Sequence, residues 1–313
     1  MFAYIVRRLL ATIPVMGVVA LFVFALLHLT PGDPAVLIAG ELATDADIAA
    51  IRAKLGLDQP FHIQLATWLW SLARGDLGIS IFTNLPVTRL IEQRLEPTLM
   101  LTLTTLIVSI VIALPLGIIS AWKAGTWIDT AVMSFAVFGF SVPVFVLGFV
   151  LILVFSLQLD WFPVQGYTSI SEGFLPFLAN ITLPSVALGM IYAALIARIT
   201  RASMLDVLAQ DYIRTADAKG LATFDVLIRH GLKNAAVPIV TVIGIGIALL
   251  ISGVVVTETV FAIPGLGRLT VDAIVKRDYP IVQGMVLLFS AVYVFINLLV
   301  DLSYTLLDPR IRY

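Results

Sequence analysis

The stretch Asp206–Pro238, DVLAQDYIRTADAKGLATFDVLIRHGLKNAAVP, decides how the rest of this chain is interpreted. Apolar residues at i, i+4 and i+8 from Leu208 predict a first short helix, which Gly220 ends or turns. Thr223 is a suitable N-cap for a second short helix, whose predicted apolar face carries Phe224, Leu227, Ile228 and Leu232. Its other face carries Asp225, Arg229 and Lys233 at i, i+4 and i+8, the spacing at which opposite charges support a helix. Two amphipathic helices around a glycine predict a compact surface, without the features of a pore or a catalytic site. Six of the 19 Lys and Arg residues lie in this stretch or just before it: Arg198, Arg201, Arg214, Lys219, Arg229 and Lys233.

The composition indicates a protein built for lipid. The chain has 313 residues, of which 60% are hydrophobic and only 12% are charged, and its mean hydropathy is +1.05. Soluble domains carry about 25% charged residues. The net charge of −1 gives no reason to expect a nucleic-acid partner. The absence of cysteine excludes disulfides, thiolate metal sites and cysteine nucleophiles.

Long charge-free stretches predict an all-α integral membrane protein with six transmembrane helices. Each stretch exceeds 20 residues, enough to cross about 30 Å of hydrocarbon. No small-residue cleavage site follows the first, so we expect it to be retained and not to act as a removed signal. Lys and Arg are denser in the segments that would be cytoplasmic, so we expect both termini inside. The stretches are Leu9–Leu29, Pro97–Ala121, Thr130–Leu157, Leu175–Ala197, Asn234–Thr257 and Tyr279–Val300. In the fourth, Gly189, Ala193 and Ala197 stand four apart and predict a small-residue stripe that lets another helix approach closely.

The spans and loops predict four parts. Residues 1–30 form an N-terminal segment and the first transmembrane helix, and residues 31–96 form an extended extracytoplasmic helical loop region. Residues 97–306 form a five-helix core that includes a cytoplasmic loop at 198–233. Residues 307–313 form a cytoplasmic tail.

The loop also carries a family resemblance. The sequence from Ala216 to Leu221, ADAKGL, and the sequence from His230 to Ala235, HGLKNA, resemble the coupling loop of ABC-importer permeases. Those permeases share the motif EAA, three residues, Gly, nine residues, Ile-x-Leu-Pro. Gly220 stands at the Gly position and Leu232 at the Leu position. The departures, Arg214, Thr215, His230 and Lys233, are those of the branch that imports dipeptides, oligopeptides, glutathione or nickel.

The resemblance implies that this loop couples the chain to ATPase subunits. The alternative is an ordinary cytoplasmic loop whose charges only follow the orientation rule. The residues to which the resemblance assigns the coupling role are Arg214, Thr215, Ala216, Asp217, Ala218, Lys219, Gly220, Leu221, His230 and Leu232.

Other short segments extend the resemblance over nearly the whole chain. TPGDP, LGLDQP and RGDLGIS follow the first span, and PGLGRL follows the fifth. Singly, their Gly and Pro residues could only shape turns. The outer-loop motif consists of Pro31, Gly32, Asp33 and Pro34. A second set is expected to form an outer gate or a binding-protein surface, with solvated loop charge as the alternative: Glu258, Pro264, Gly265, Gly267, Arg268, Asp272 and Asp278.

No catalytic or metal site is predicted. The sequence holds no G-x-x-x-x-G-K-[ST] and no H-E-x-x-H, and its three histidines lie far apart. Gly139 to Pro143 half-resembles a serine-nucleophile turn but lacks its second glycine. An intramembrane protease is therefore a poor interpretation, and we expect a transporter subunit and not an enzyme.

The resemblance implies a type I ABC-importer permease fold in the bacterial inner membrane, with no cofactor on this chain. A second permease, more often a different chain than a second copy, completes the pathway. Two ATP-binding subunits carry ATP and Mg, and an extracytoplasmic solute-binding protein delivers a peptide. Nickel or another small solute remains an alternative substrate. A secondary transporter or channel is the competing class, but the central parts of the predicted spans lack the ionisable residues that ion coupling uses.

Overall fold

The computed structural model describes residues 2–29, 35–36, 44–54 and 56–307, and the regular elements among them are helical. Two helices continue without interruption as short π-helices. The elements, in chain order, are α1 (Phe2–Leu29), α2 (Asp45–Lys54), α3 (Phe61–Ala73), α4 (Val87–Trp122), α5 (Trp127–Ser141), α6 (Val144–Leu151, with the π-helix Ile152–Gln158), α7 (Phe174–Leu208), α8 (Asp211–Ala218), α9 (Thr223–Asp225, with the π-helix Val226–Leu232), α10 (Ala236–Val260), α11 (Leu266–Lys276) and α12 (Tyr279–Leu307).

Three of the described helices are long and apolar enough to cross a membrane: α4, α7 and the Tyr279–Ser303 part of α12. The pairs α5 with α6, and α9 with α10, also qualify if each bent pair is one span, which raises the number to five. The first predicted span lies in α1, whose apolar part within the described residues is Leu10–Ala25. The chain is therefore a multi-pass, all-helical membrane protein.

The predicted span over Thr130–Leu157 consists of two helices in the structure. The chain breaks between α5 and α6, and the two helices are bent by 101° at the break. Pro143 has no N–H to donate, and its ring keeps Val142 out of the helical region, at φ −85 and ψ 124. The break therefore has a local cause in the sequence.

The fourth predicted span, Leu175–Ala197, is shorter than the observed helix. Helix α7 continues for 11 residues beyond Ala197, to Leu208. Six of the 11 added residues are Arg, Leu, Ala or Met, which favour helix, and none is Gly or Pro, so nothing stops the helix before Gln210 takes up an extended conformation. Arg198 and Arg201 consequently belong to a membrane-crossing helix and not to a loop.

The chain divides into two compact units. The first comprises Leu95–Arg268 together with the chain from Phe295 onward, and the second comprises Phe2–Arg94 and Leu269–Val294. In the second unit, the Phe24 ring lies 5.2 Å from the Phe61 ring between centroids, and the Ser80 hydroxyl donates to the Asp278 carboxylate at 2.6 Å.

The core of the first unit surrounds α7. Ile181, Leu188 and Ile196 repeat along this helix and are almost completely buried, and residues of α4, α6 and α10 pack around them. Within a bilayer such contacts gain energy from close packing, since lipid is as apolar as the side chains themselves. Helix α7 is thus the central element of this unit.

Small residues let α4 approach α7 closely, as the predicted stripe of Gly189, Ala193 and Ala197 requires. A Cβ at Gly189 would lie 3.0 Å from a methyl group of Val108, and the Ser109 hydroxyl donates to the Gly189 carbonyl at 3.0 Å. The matching small residue on α4 is Gly117, where a Cβ would lie 2.8 Å from the carbonyl oxygen of Ala197. The stripe is confirmed as a helix contact.

We expect Gly117→Ala to lower the thermal stability of the chain, because the new methyl group would meet backbone and the stiff side chain of Thr200, 2.6 Å away at its Cβ. Overpacking of this kind costs roughly 1–3 kcal/mol. The matched control is Gly139→Ala on α5, where the nearest α7 atom would be 3.6 Å away. Thermal unfolding of both variants in mild detergent measures the difference. Equal stability of the two variants would contradict the close contact.

Candidate functional site

The polar stretch between α7 and α10 folds as two short helices around Gly220, as the sequence predicts. Gly220 has φ +76, a conformation that costs glycine little. Its N–H donates to the Asp217 carbonyl at 2.9 Å, and the Leu221 N–H donates to the Ala216 carbonyl at 3.4 Å. This pair of bonds is the Schellman arrangement that satisfies the last carbonyls of a helix. We call residues Asp211–Leu232 the loop surface.

The inner side of the loop surface is anchored to α7. Ile213, Ala216 and Val226 form a buried cluster against the end of that helix. Gly231 packs on Met204, which is fully buried, and a Cβ at Gly231 would lie 2.8 Å from the Met204 Cε. The loop surface is therefore packed directly against the end of α7.

The outer side of the loop surface combines exposed apolar groups with charges. Tyr212 and Leu221 are largely exposed, and Phe224 is 72% exposed. The predicted Asp225–Arg229 pair is present at 3.2 Å on the surface. Exposed pairs of this kind contribute only up to about 1 kcal/mol. Apolar side chains presented beside charges are typical of a protein-docking surface.

The structure corrects two details of this stretch. Phe224 does not share the buried face of Leu227 and Ile228 but points outward. The second helix is a π-helix over Val226–Leu232, a form that often occurs at functional sites. The sequence could not show the π-helix, because α and π periodicities differ little over seven residues.

The predicted coupling residues are divided between the two sides of the loop surface. Ala216 is buried, while His230 and Leu232 are half-buried. The remaining residues are exposed: Arg214, Thr215, Asp217, Ala218, Lys219, Gly220 and Leu221.

A second polar cluster lies at the end of α10, around Glu258. This side chain is 0% exposed, and its carboxylate accepts from the Thr98 hydroxyl at 2.5 Å and from the Arg268 N–H at 2.8 Å. The Thr98 hydroxyl in turn accepts from the Leu266 N–H at 2.8 Å. The carboxylate thus lies at the N-terminus of α11, where free N–H groups favour a negative charge. A Cβ at Gly265 would overlap the carboxylate, which explains why a glycine occupies this position.

The residues of the predicted outer set differ in burial. Glu258, Gly265 and Gly267 are buried in the first unit, and Pro264 is exposed. Asp278 is buried in the second unit, where Ser80 and the Ile81 N–H donate to it, so neither Glu258 nor Asp278 is a solvated loop charge. Arg268 is half-buried and Asp272 is exposed. The outer-loop motif Pro31, Gly32, Asp33 and Pro34 lies outside the described residues.

An ion pair that the sequence did not predict joins α5 to α7. The Arg201 Nε and Nη2 donate to the two carboxylate oxygens of Asp129, each at 2.6 Å. The Ser120 hydroxyl donates to Asp129 at 2.5 Å and the Gly125 N–H at 3.0 Å. The only signal in the sequence was a lone carboxylate at the start of a span, which needs a partner. Within the described ranges, His, Cys, Asp and Glu form no group of three that could hold a metal ion.

Two family profiles together match nearly the whole chain. The profile described as "Binding-protein-dependent transport system inner membrane component" matches residues 113–313. The profile described as "Binding-prot-dependent transport system membrane comp, N-term" matches residues 1–102.

Curated relatives match over full length. A probable peptide ABC transporter permease protein of Sinorhizobium fredii is 54% identical over 310 residues, which are 99% of each chain. The glutathione transport system permease protein GsiC of Escherichia coli is 44% identical over 313 residues, which are 100% of each chain.

A solved structure shares the fold. It is titled as an inward-facing conformation of the MetNI methionine ABC transporter, and it matches with a TM-score of 0.59 and 18% identity. The match covers 71% of this chain and 97% of that one.

We expect Thr98→Val to destabilise the first unit, because it removes a donor to the buried Glu258 carboxylate and the acceptor of the Leu266 N–H. Leaving buried polar groups without these bonds costs roughly 1–3 kcal/mol each. Thr98→Ser is the matched control, since it keeps the hydroxyl. Thermal unfolding in detergent compares the variants, and a Val variant as stable as the Ser variant would show that the hydroxyl contributes nothing.

Proposed function

This chain belongs to the family of binding-protein-dependent transport system inner membrane components, and we propose that within it the chain is a permease subunit of an ATP-driven importer of peptides. The family resemblance of its loop and its type I ABC-importer permease fold are both confirmed. Relatives named for peptide and glutathione transport, at 54% and 44% identity, support a dipeptide, oligopeptide or glutathione as the substrate. Nickel or another small solute is the alternative.

The proposal includes partners on both sides of the bacterial inner membrane. A second permease, more often a different chain, would complete the pathway, and two ATP-binding subunits would supply ATP and Mg. The family description itself supports dependence on a solute-binding protein. Both termini and the loop surface would lie in the cytoplasm, in agreement with the bias of Lys and Arg.

The observation that carries the proposal is that the loop surface is exposed on one side and anchored to α7 on the other. Its exposed side, with Tyr212, Leu221 and Phe224, would receive an ATP-binding subunit. Its buried side contacts Met204 of α7. A displacement of the loop surface by the docked subunit would therefore be transmitted to this membrane-crossing helix. ATP would favour one state of the pathway by binding it better than the other, and hydrolysis would reset the equilibrium.

Purification of the tagged chain in mild detergent, with sequencing of every co-purified protein, tests the assembly. Recovery of a second multi-span permease and of subunits with a phosphate-binding loop supports the proposal. Recovery of this chain alone, still transporting peptide in vesicles without ATP, would replace it with a secondary carrier.

We expect Gly220→Trp to leave the protein in the membrane but to uncouple ATP hydrolysis from peptide uptake, because the indole would stand on the docking side of the loop surface. Gly125→Trp, on the turn between α4 and α5, is the matched control. The two glycines have φ of +76 and +77, and nothing lies within 4 Å of a Cβ at either position. Backbone strain at the substituted residue is therefore similar, and the Gly125 N–H that donates to Asp129 is retained in the Trp variant.

The measurement is the ratio of peptide imported to ATP hydrolysed in proteoliposomes that contain the whole transporter. A fall of at least tenfold is expected for Gly220→Trp, with a near wild-type ratio for Gly125→Trp. A wild-type ratio in both variants would remove the coupling role from the loop surface.

A further inference from the structure

A cleft between α5 and α7, both in the first unit, is lined by polar as well as apolar side chains. Its wider part has a volume of about 660 Å³ and its inner part a volume of about 380 Å³. Pockets for small ligands span about 300–1,000 Å³. Apolar side chains alternate in it with the hydroxyls of Thr130, Ser134 and Ser141. Two guanidinium groups, those of Arg198 and Arg201, complete the lining.

Only one of the two guanidinium groups is paired with a carboxylate. Arg201 is neutralised by Asp129, whose two oxygens receive four donors in all: two from Arg201, the Ser120 hydroxyl and the Gly125 N–H. This leaves Asp129 no capacity to neutralise a second cation. Among the residues that the structure describes, Arg198 forms no hydrogen bond or ion pair, and its side chain is exposed to the cleft. The cleft therefore carries one uncompensated positive charge.

The position of Arg198 along α7 indicates how deep this charge lies in the membrane. It follows the first residue of the helix by 24 positions, a rise of roughly 36 Å at 1.5 Å per residue. The hydrocarbon core is about 30 Å thick, so Arg198 lies near the boundary at the end that leads to the loop surface. A long basic side chain at the end of a span reaches the polar interface, so the Arg198 guanidinium can meet a charged ligand in water at this boundary.

We propose that Arg198 binds the carboxylate of the transported peptide in this cleft, near the point of release on the side of the loop surface. The inference rests on the proposed function and names a substrate contact within it. A guanidinium matches a carboxylate with two parallel hydrogen bonds, which a neutral C-terminal amide cannot reproduce. The Ser134 hydroxyl offers a donor and an acceptor to the peptide backbone. The Thr130 and Ser141 hydroxyls, which donate to the carbonyls of Thr126 and Val137, offer acceptors, and the apolar lining accepts varied side chains.

The test compares two forms of one tripeptide, with a free C-terminal carboxylate and with a C-terminal amide. The whole transporter and its binding protein are reconstituted in proteoliposomes, and initial ATP-dependent uptake of each form is measured. The quantity of interest is the ratio of the two rates within each variant, relative to wild type. Selection by the binding protein is common to all variants and cancels in this comparison.

We expect Arg198→Gln to reduce the carboxylate-to-amide ratio about tenfold, and Arg198→Lys to restore part of it because the charge remains. The matched control is Lys123→Gln, which removes a cation that lies 3.9 Å from the centre of the Trp122 ring, outside the cleft lining. This variant should keep the wild-type ratio. A second pair of measurements uses vesicles with and without phosphatidylglycerol.

The other possible results contradict either the inference or the proposed function. An unchanged ratio in Arg198→Gln overturns the inference, as does an equal fall for both peptides, which would assign Arg198 a structural role. An effect that disappears without phosphatidylglycerol overturns it in favour of a lipid headgroup. Failure of the wild-type transporter to import either peptide overturns the proposed function itself, and the inference with it.

Discussion

The packing of α7 is the constraint on which the first unit depends. Its small residues admit α4 to backbone contact at Gly117, and its apolar side chains Ile181, Leu188 and Ile196 fill the core. Its last turns carry Met204, on which the loop surface rests. Lipid solvates apolar side chains as well as protein does, so this helix is held by the fit of its surfaces and not by exclusion of water.

Buried carboxylates in the first unit are satisfied in two different ways. Asp129 has a guanidinium partner and two further donors, so it joins α5 to α7 as a neutral pair. Glu258 receives a hydroxyl and a backbone N–H at the start of α11, so the helix terminus provides part of the compensation. Burial of either charge without these donors would be costly. Both carboxylates therefore fix the geometry of the elements that meet at them.

The loop surface and the cleft share α7, which gives the proposed function a physical route. A subunit docked at Tyr212 and Phe224 would act on the same helix that presents Arg198 to the cleft. The break at Pro143 separates α5 from α6, so α5 could move with α7 through the Asp129–Arg201 pair while α6 keeps its own packing. Alternation between two packings needs such separate segments.

The sequence by itself determined the class of the protein, the approximate spans, the glycine turn at Gly220 and the family of the loop. These features depend on composition and local spacing, and not on contacts with residues far away in the chain. Only the tertiary structure decided that α7 continues past Ala197, that Phe224 points outward and that Glu258 is buried. The pairing of Asp129 with Arg201, 72 residues apart, also required it. Side-chain burial and charge compensation depend on which helices pack together, and the order of residues alone does not specify that packing.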